Sequence, residues 1–200
     1  IKDKHNFKNN SLLLDYLILK YIKYNHNLRI FTLFPIRNKK LDDQCISILN
    51  KYGKIILSKK IPLIHLGNSF NLMRILYENA KWIGNETDFF KGAQWKSKTC
   101  FEKTEGNVDI ILFEPANNKL NTKEFLKLIK EKIRSVYKIR FHSIHSSDDH
   151  NETIRYSKLF FHYNSYNIMF KRKEQFFLNF EKKLYEIKKL SIDLNSIVFS

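Results

Sequence analysis

The sequence predicts one α/β domain, an α+β sandwich with helices packed on a sheet, and three observations predict it. β-prone runs alternate with stretches of helical spacing along most of the chain. Pro35, Pro62 and Pro115 stand at the ends of the strand-like runs. The 200 residues, 43 % hydrophobic and 14 % aromatic, are enough to bury a substantial core. The alternation falls into two β-α-β-α halves without detectable sequence repetition, for which a ferredoxin-like sheet is one arrangement.

Each element has its own signal. Residues 1–10 are a polar lead-in, after which Ser11 can cap a helix carrying Leu12, Leu13, Tyr16, Leu17 and Leu19 and ending near Asn25. Leu28 to Phe34 reads as a strand, and 41–52 as a helix with Cys45, Ile48, Leu49 and Tyr52 on one face, closed by Gly53. A strand from Lys54 to Leu63 and a helix from Asn68 to Tyr77, with Leu72, Ile75 and Leu76 at helical spacing, complete the first half. Between Glu78 and Gly106 the periodicity dissolves around Gly84, Gly92 and Gly106, which predicts a long loop or lid.

The second half opens with a strand from Val108 to Glu114. A helix over 122–137 follows, with Phe125, Leu128, Ile129, Ile133 and Val136 on one face, then a strand from Ile139 to Ile144 and a helix from Asp149 to about Tyr163. Residues 11–170 form the domain on this reading. Residues 171–200 form a basic C-terminal segment: Phe177, Phe180, Leu184 and Ile187 follow i, i+3, i+7, i+10 spacing on a helix from Lys171 to Leu190, and Ile192 to Phe199 can add an edge strand.

No run approaches the roughly 18 consecutive apolar residues of a membrane helix. The chain opens on Ile1 with no secretory apolar stretch, so a trimmed or processed chain is expected. Two cysteines, Cys45 and Cys100, are too few for a disulfide framework, which points to an intracellular, reducing setting in the cytoplasm or an organelle matrix. Thirty-six basic against 20 acidic residues give a net charge of +16, a field that attracts polyanions such as RNA, DNA or an anionic membrane surface. Heavy use of Lys, Asn, Ile, Phe and Tyr with only 5 Gly and 3 Pro is also what AT-rich coding produces with no partner in view.

The sharpest cluster runs from Phe141 to Thr153 and packs His142, His145, His150, Asp148, Asp149 and Glu152 into a strand-to-helix junction. Strand ends of open α/β sheets are where ligands sit, and these residue types bind metals or move protons near neutral pH. His145, Asp148 and His150 are candidate ligands for a divalent metal ion, and with Glu152 they are candidate catalytic groups. The competing reading is local: Ser147 or Asp149 caps the next helix, and Glu152 closes a capping box. Cys100 is a candidate nucleophile with His145 or His150 as its base, or else a buried inert thiol. Asp109 and Glu114, flanking a strand, can bring a carboxylate to the same edge or simply face solvent.

Two resemblances bear on this cluster. The run from His145 to Arg155, together with Phe90 to Phe101, resembles an uncharacterised microbial domain with H-x-x-D-x-H-x-E-T-I and G-A-x-x-K-x-x-x-C-F motifs. It spans roughly residues 28–170 and implies that Lys96, Cys100, His145, Asp148, His150 and Glu152 meet in one site. His145-Ser146-Ser147-Asp148 before a helix is similar to the H-G-S-D of nucleoside diphosphate kinases, whose histidine carries the phosphoryl group on a ferredoxin-like fold. Ser146 stands where that motif has glycine, and no counterpart of the family's Arg and Thr phosphate ligands is found upstream.

A second constellation places Lys81, Trp82, Lys91, Trp95, Lys96 and Lys98 in the predicted loop, with Lys171, Arg172 and Lys173 opening the C-terminal helix. Aromatic faces that stack bases, flanked by cations, suit single-stranded nucleic acid; the same aromatics can equally anchor a loop on the core. The first functional expectation is therefore a basic nucleic-acid-binding domain, RNA before DNA, using residues 81–103 and 171–189. The rival is a metal-assisted transferase or hydrolase acting on a phosphate-containing substrate, with Lys96 as its phosphate contact. The third is a subunit of a ribonucleoprotein assembly. No glycine-rich phosphate loop is present to support a P-loop enzyme.

Overall fold

The computed structural model describes residues 14–62, 66–101, 107–116 and 122–162. A first helix, α1, covers 14–24 of these. The chain continues through β1 (Arg29–Leu33), α2 (Asp42–Tyr52), β2 (Gly53–Pro62), α3 (Leu66–Leu76), α4 (Lys91–Phe101), β3 (Asn107–Pro115), α5 (Thr122–Tyr137), β4 (Ile144–Ser146) and α6 (His150–Phe161). The four strands form one antiparallel sheet in the order β2-β3-β1-β4. In each of the units β1-α2-β2 and β3-α5-β4 the two strands enclose a strand of the other unit. This is the split β-α-β connectivity of a ferredoxin-like sheet, here with α3 and α4 inserted between β2 and β3.

Both faces of the sheet are covered, and the strand alternation sorts the side chains. Ile30 of β1 and Val108, Ile110 and Leu112 of β3 pack with Ile22 of α1, Leu72 and Met73 of α3, Cys100 of α4 and Phe160 of α6. Phe31, Leu33, Ile111 and Phe113 face the other way, onto Cys45 and Leu49 of α2 and Phe125, Ile129 and Ile133 of α5. Each such side chain, fully buried, contributes about 1.5–3 kcal/mol. Burial on both faces is why Val108 to Phe113 reads as one apolar run.

A buried ion network closes one end of the sheet. The Arg37 guanidinium donates to both carboxylate oxygens of Asp42 at 2.9 Å, to Asp109, and to the carbonyl of Phe34 at 3.0 Å, while the Tyr137 hydroxyl donates to Asp42 at 2.8 Å. Asp109 is thus held by Arg37, and Glu114 lies at the other end of β3, accepting from Asn25 Nδ2 at 3.4 Å. The expectation of a carboxylate near the histidine cluster from these two residues is corrected accordingly.

Two further expectations change. The predicted loop over 78–106 contains 3-10 turns at Lys81–Ile83 and Glu86–Asp88 and the whole of α4. The helix escapes a periodicity search because its buried side includes Lys96 and Ser97 while Trp95 faces out. Gly92 lets it pack closely, since a Cβ there would lie 1.9 Å from the Trp82 carbonyl oxygen. The strand expected at 139–144 is displaced: a 3-10 turn covers Arg140–His142 and β4 begins at Ile144. Lys138 and Arg140, at φ 57° and 49°, turn the chain before it can pair with β1.

A cationic histidine site at the short edge strand

Among the described residues β4 is the last strand of the sheet, and it is only 3 residues long. Its register places His145 opposite Thr32 of β1, on the sheet face covered by α3, α4 and α6. Ser147 fixes that register: it accepts from Ile30 N at 3.0 Å through Oγ and donates its own backbone N–H to the Ile30 carbonyl at 3.0 Å.

The imidazole of His145 is held in one tautomer. Tyr156 Oη lies 2.6 Å from the carbonyl oxygen of Leu76, which can only accept, so the phenolic proton points there. The same Oη lies 3.0 Å from His145 Nε2, which must then be the protonated nitrogen and the donor. Nδ1 is left with its lone pair and no hydrogen-bond partner among the described residues. The ring also packs on Tyr77, centroids 4.4 Å apart, and keeps only part of its surface exposed.

Positive charge surrounds this ring. Burial first, then Lys130, Lys96, Arg134 and Arg155, push the His145 pKa well below the usual histidine range, so the ring is neutral at pH 7. Lys96, on α4, is 3 % exposed and has no carboxylate partner among the described residues. Its ammonium donates to the Phe141 carbonyl at 2.5 Å and to His142 Nδ1 at 3.3 Å, and burial lowers its pKa. Arg134, on α5, stacks over Phe141 at 4.7 Å, and its buried Nε has no hydrogen-bond partner among the described residues. Lys130 pairs with Asp148 at 2.9 Å, and Arg155 binds Glu78. Exposed aromatic rings rim the cluster: Trp82 packs on Tyr77, Trp95 on His142, and Phe141 lies beneath Arg134.

The structure brings some of the candidate residues together and separates others. His145 and Lys96 share the cluster. Asp149 is the N-cap of α6, accepting from Glu152 N at 2.8 Å, as the local capping reading expects, whereas Glu152 accepts from Asp148 N at 2.8 Å, one residue before the N-cap, so the expected capping box is not closed. His150 points away, its ring stacked on His26 with centroids 4.0 Å apart. His145, Asp148 and His150 therefore face Tyr156, Lys130 and His26 respectively, and among the described residues no group of three His, Cys, Asp or Glu side chains is placed to hold a metal. Cys100 is buried, its thiol donates to the His142 carbonyl at 3.7 Å, and burial pushes its pKa up to about 11, which opposes a nucleophilic thiolate.

Of the nucleic-acid candidates, Lys91, Trp95 and Lys98 form one exposed stripe of α4, and Lys81 and Trp82 are exposed on the preceding 3-10 turn. Lys96, expected beside them as a solvent-facing cation, is instead the buried one. Lys171, Arg172 and Lys173 lie outside the described residues. Sequence reading missed Tyr77, Lys130, Arg134 and Tyr156. Lys130 and Arg134 carried one faint signal, their i, i+4 spacing on α5.

No protein-family model matches this chain, and no curated protein matches it.

Proposed function

We propose that the chain is a phosphoryl transferase in which His145 accepts the phosphoryl group at Nδ1. The observation that carries this reading is the hydrogen-bond chain from His145 Nε2 through Tyr156 to Leu76, which leaves a nitrogen lone pair on a ring that burial and the charges of Lys130, Lys96, Arg134 and Arg155 keep neutral. Phosphoryl transfer needs positioning and cations around the phosphoryl oxygens more than elaborate covalent chemistry. Nδ1 attacks the terminal phosphorus; an N–P bond forms as the bond to the leaving oxygen breaks, and that oxygen departs with the electron pair. The Nε2 proton stays in place, shared with Tyr156. In the second half-reaction an acceptor oxygen attacks phosphorus and the lone pair returns to Nδ1. The reading agrees with what the H-G-S-D resemblance implies for this histidine, and cations on α4, α5 and α6 offer the phosphate contacts that the sequence motif lacks.

The test is labelling of the full chain with γ-labelled ATP, GTP or acetyl phosphate. Acid-labile, alkali-stable label is expected on the parent protein and on His142→Gln, and absent from His145→Gln. No label from any donor, or label unaffected by His145→Gln, overturns the reading.

A second reading, nucleic-acid binding, is favoured by a separate observation: exposed Trp82 and Trp95 stand among exposed Lys81, Lys91 and Lys98. It requires single-stranded RNA to bind the parent with steep salt dependence and more weakly to Trp95→Ala. Binding at low salt that is unchanged in that variant removes it.

A further inference from the structure

We infer, resting on the reading of His145 as the phosphoryl carrier, that the acceptor of its phosphoryl group is the terminal hydroxyl of a single-stranded nucleic acid. The chain has two tryptophans, Trp82 and Trp95, and the fold sets both against the histidine cluster from different elements. Trp82 packs on Tyr77 with ring centroids 4.9 Å apart, and Tyr77 packs on His145 at 4.4 Å. Trp95 meets His142 edge-on at 5.4 Å, and His142 Nδ1 lies 3.3 Å from the Lys96 ammonium. Each indole is thus one ring removed from His145 or from Lys96, yet the two remain 46 % and 57 % exposed.

Two exposed indoles separate a strand from a mononucleotide. A tryptophan stacks one base of any kind, which strengthens binding by about 5- to 100-fold. A nucleoside phosphate has one base to offer, whereas a strand engages both rings. The cations agree. Lys91 and Lys98 flank Trp95 at i−4 and i+3 on the exposed side of α4, Lys81 precedes Trp82, and none of the three has a carboxylate partner among the described residues. The stripe from Lys91 to Lys98 is about 10 Å long, more than one phosphate spans, and it is separate from the buried Lys96. The net charge of +16 draws a polyanion to this surface. In the transfer the terminal hydroxyl oxygen attacks phosphorus. An O–P bond forms as the N–P bond breaks, the electron pair returns to Nδ1, and the hydroxyl proton leaves to solvent.

The test loads the full chain from whichever of ATP, GTP and acetyl phosphate labels it and removes the donor. The labelled protein is then offered a single-stranded RNA of about 12 nucleotides with free 5′ and 3′ hydroxyls, uridine, or UDP. Transfer is scored as the fraction of protein-bound label that reaches the acceptor, which keeps it apart from loading. Phosphatase-sensitive label is expected on the RNA at least about tenfold faster than on uridine or UDP, with steep salt dependence. A Trp82→Ala, Trp95→Ala double variant is expected to transfer to RNA at least about tenfold more slowly. Label that the RNA does not take up, or that uridine or UDP takes up as fast, overturns the inference and leaves the histidine carrier standing. Transfer to RNA at the parent rate in the double variant overturns it too. A chain that takes no label from any donor overturns the carrier reading, and this inference with it.

Discussion

Tyr156 stands one hydrogen bond from His145 and one from the Leu76 carbonyl, so a residue of α6 sets which nitrogen of an edge-strand histidine carries the proton. The two residues are 11 apart in sequence and meet only because α6 folds back over the sheet.

Replacing Tyr156 by Phe removes the acceptor for Nε2–H and the donor to Leu76 while preserving the ring. Two buried groups lose their partner, and a stability loss of about 1–3 kcal/mol is expected in urea denaturation. If Tyr156 positions the ring, nitrogen NMR of His145 will show a mixture of tautomers, and labelling will slow by about 10- to 100-fold. An unchanged tautomer in the variant would place control of the ring elsewhere.

The depressed His145 pKa makes stability depend on pH in a defined sense. Above about pH 6.5, the ordinary histidine value, the ring is neutral in both folded and unfolded chains and contributes no slope. As pH falls below that value the unfolded chain takes up a proton that folded His145 refuses, so stability is lost down to the folded pKa. His142 and His150 are lowered too and add to the same slope, burial being the leading cause for each. In His145→Gln the slope is expected to shrink by up to one proton, about 1.4 kcal/mol per pH unit. Denaturation series at pH 7.5, 6 and 5 measure it; an identical slope in parent and variant contradicts the burial of this ring.

Lys96 is a buried cation with no carboxylate partner among the described residues, which costs stability. Lys96→Met keeps the aliphatic volume and removes the charge. The variant is expected to be about 1 kcal/mol more stable than the parent and to lose at least about 100-fold in labelling. Urea midpoints and labelling rates check the two halves, and a stable variant with full labelling would show Lys96 to be structural.

At Gly92 any side chain meets backbone. The Ala Cβ would overlap the Trp82 carbonyl, so Gly92→Ala is expected to destabilise by about 2–4 kcal/mol, whereas Trp95→Ala, on the exposed side of the same helix, should stay within about 0.5 kcal/mol of the parent. Thermal denaturation of the pair distinguishes a packed α4 from a loosely attached one, for which both variants would be neutral.

The sequence by itself determined the order of strands and helices wherever a segment has one apolar side and a clear stop. β1 ends before Pro35 and α2 gives way to β2 at Gly53, with α5 showing its whole apolar face. His145 was likewise legible, because a histidine at a strand-to-helix junction is conspicuous in any reading. Tertiary structure alone decided what surrounds it. α4 was hidden because Lys96 and Ser97 face inward and Trp95 outward, an inversion that only packing against α3 and the 3-10 turns can stabilise. The metal triad expected from His145, Asp148 and His150 was a matter of sequence proximity, and strand-to-helix geometry sends the three side chains in different directions. The cations and the tyrosine that give His145 its character come from α4, α5 and α6. Local pattern records which residues a segment buries, whereas electrostatics at a site depends on distance in space between segments far apart in the chain.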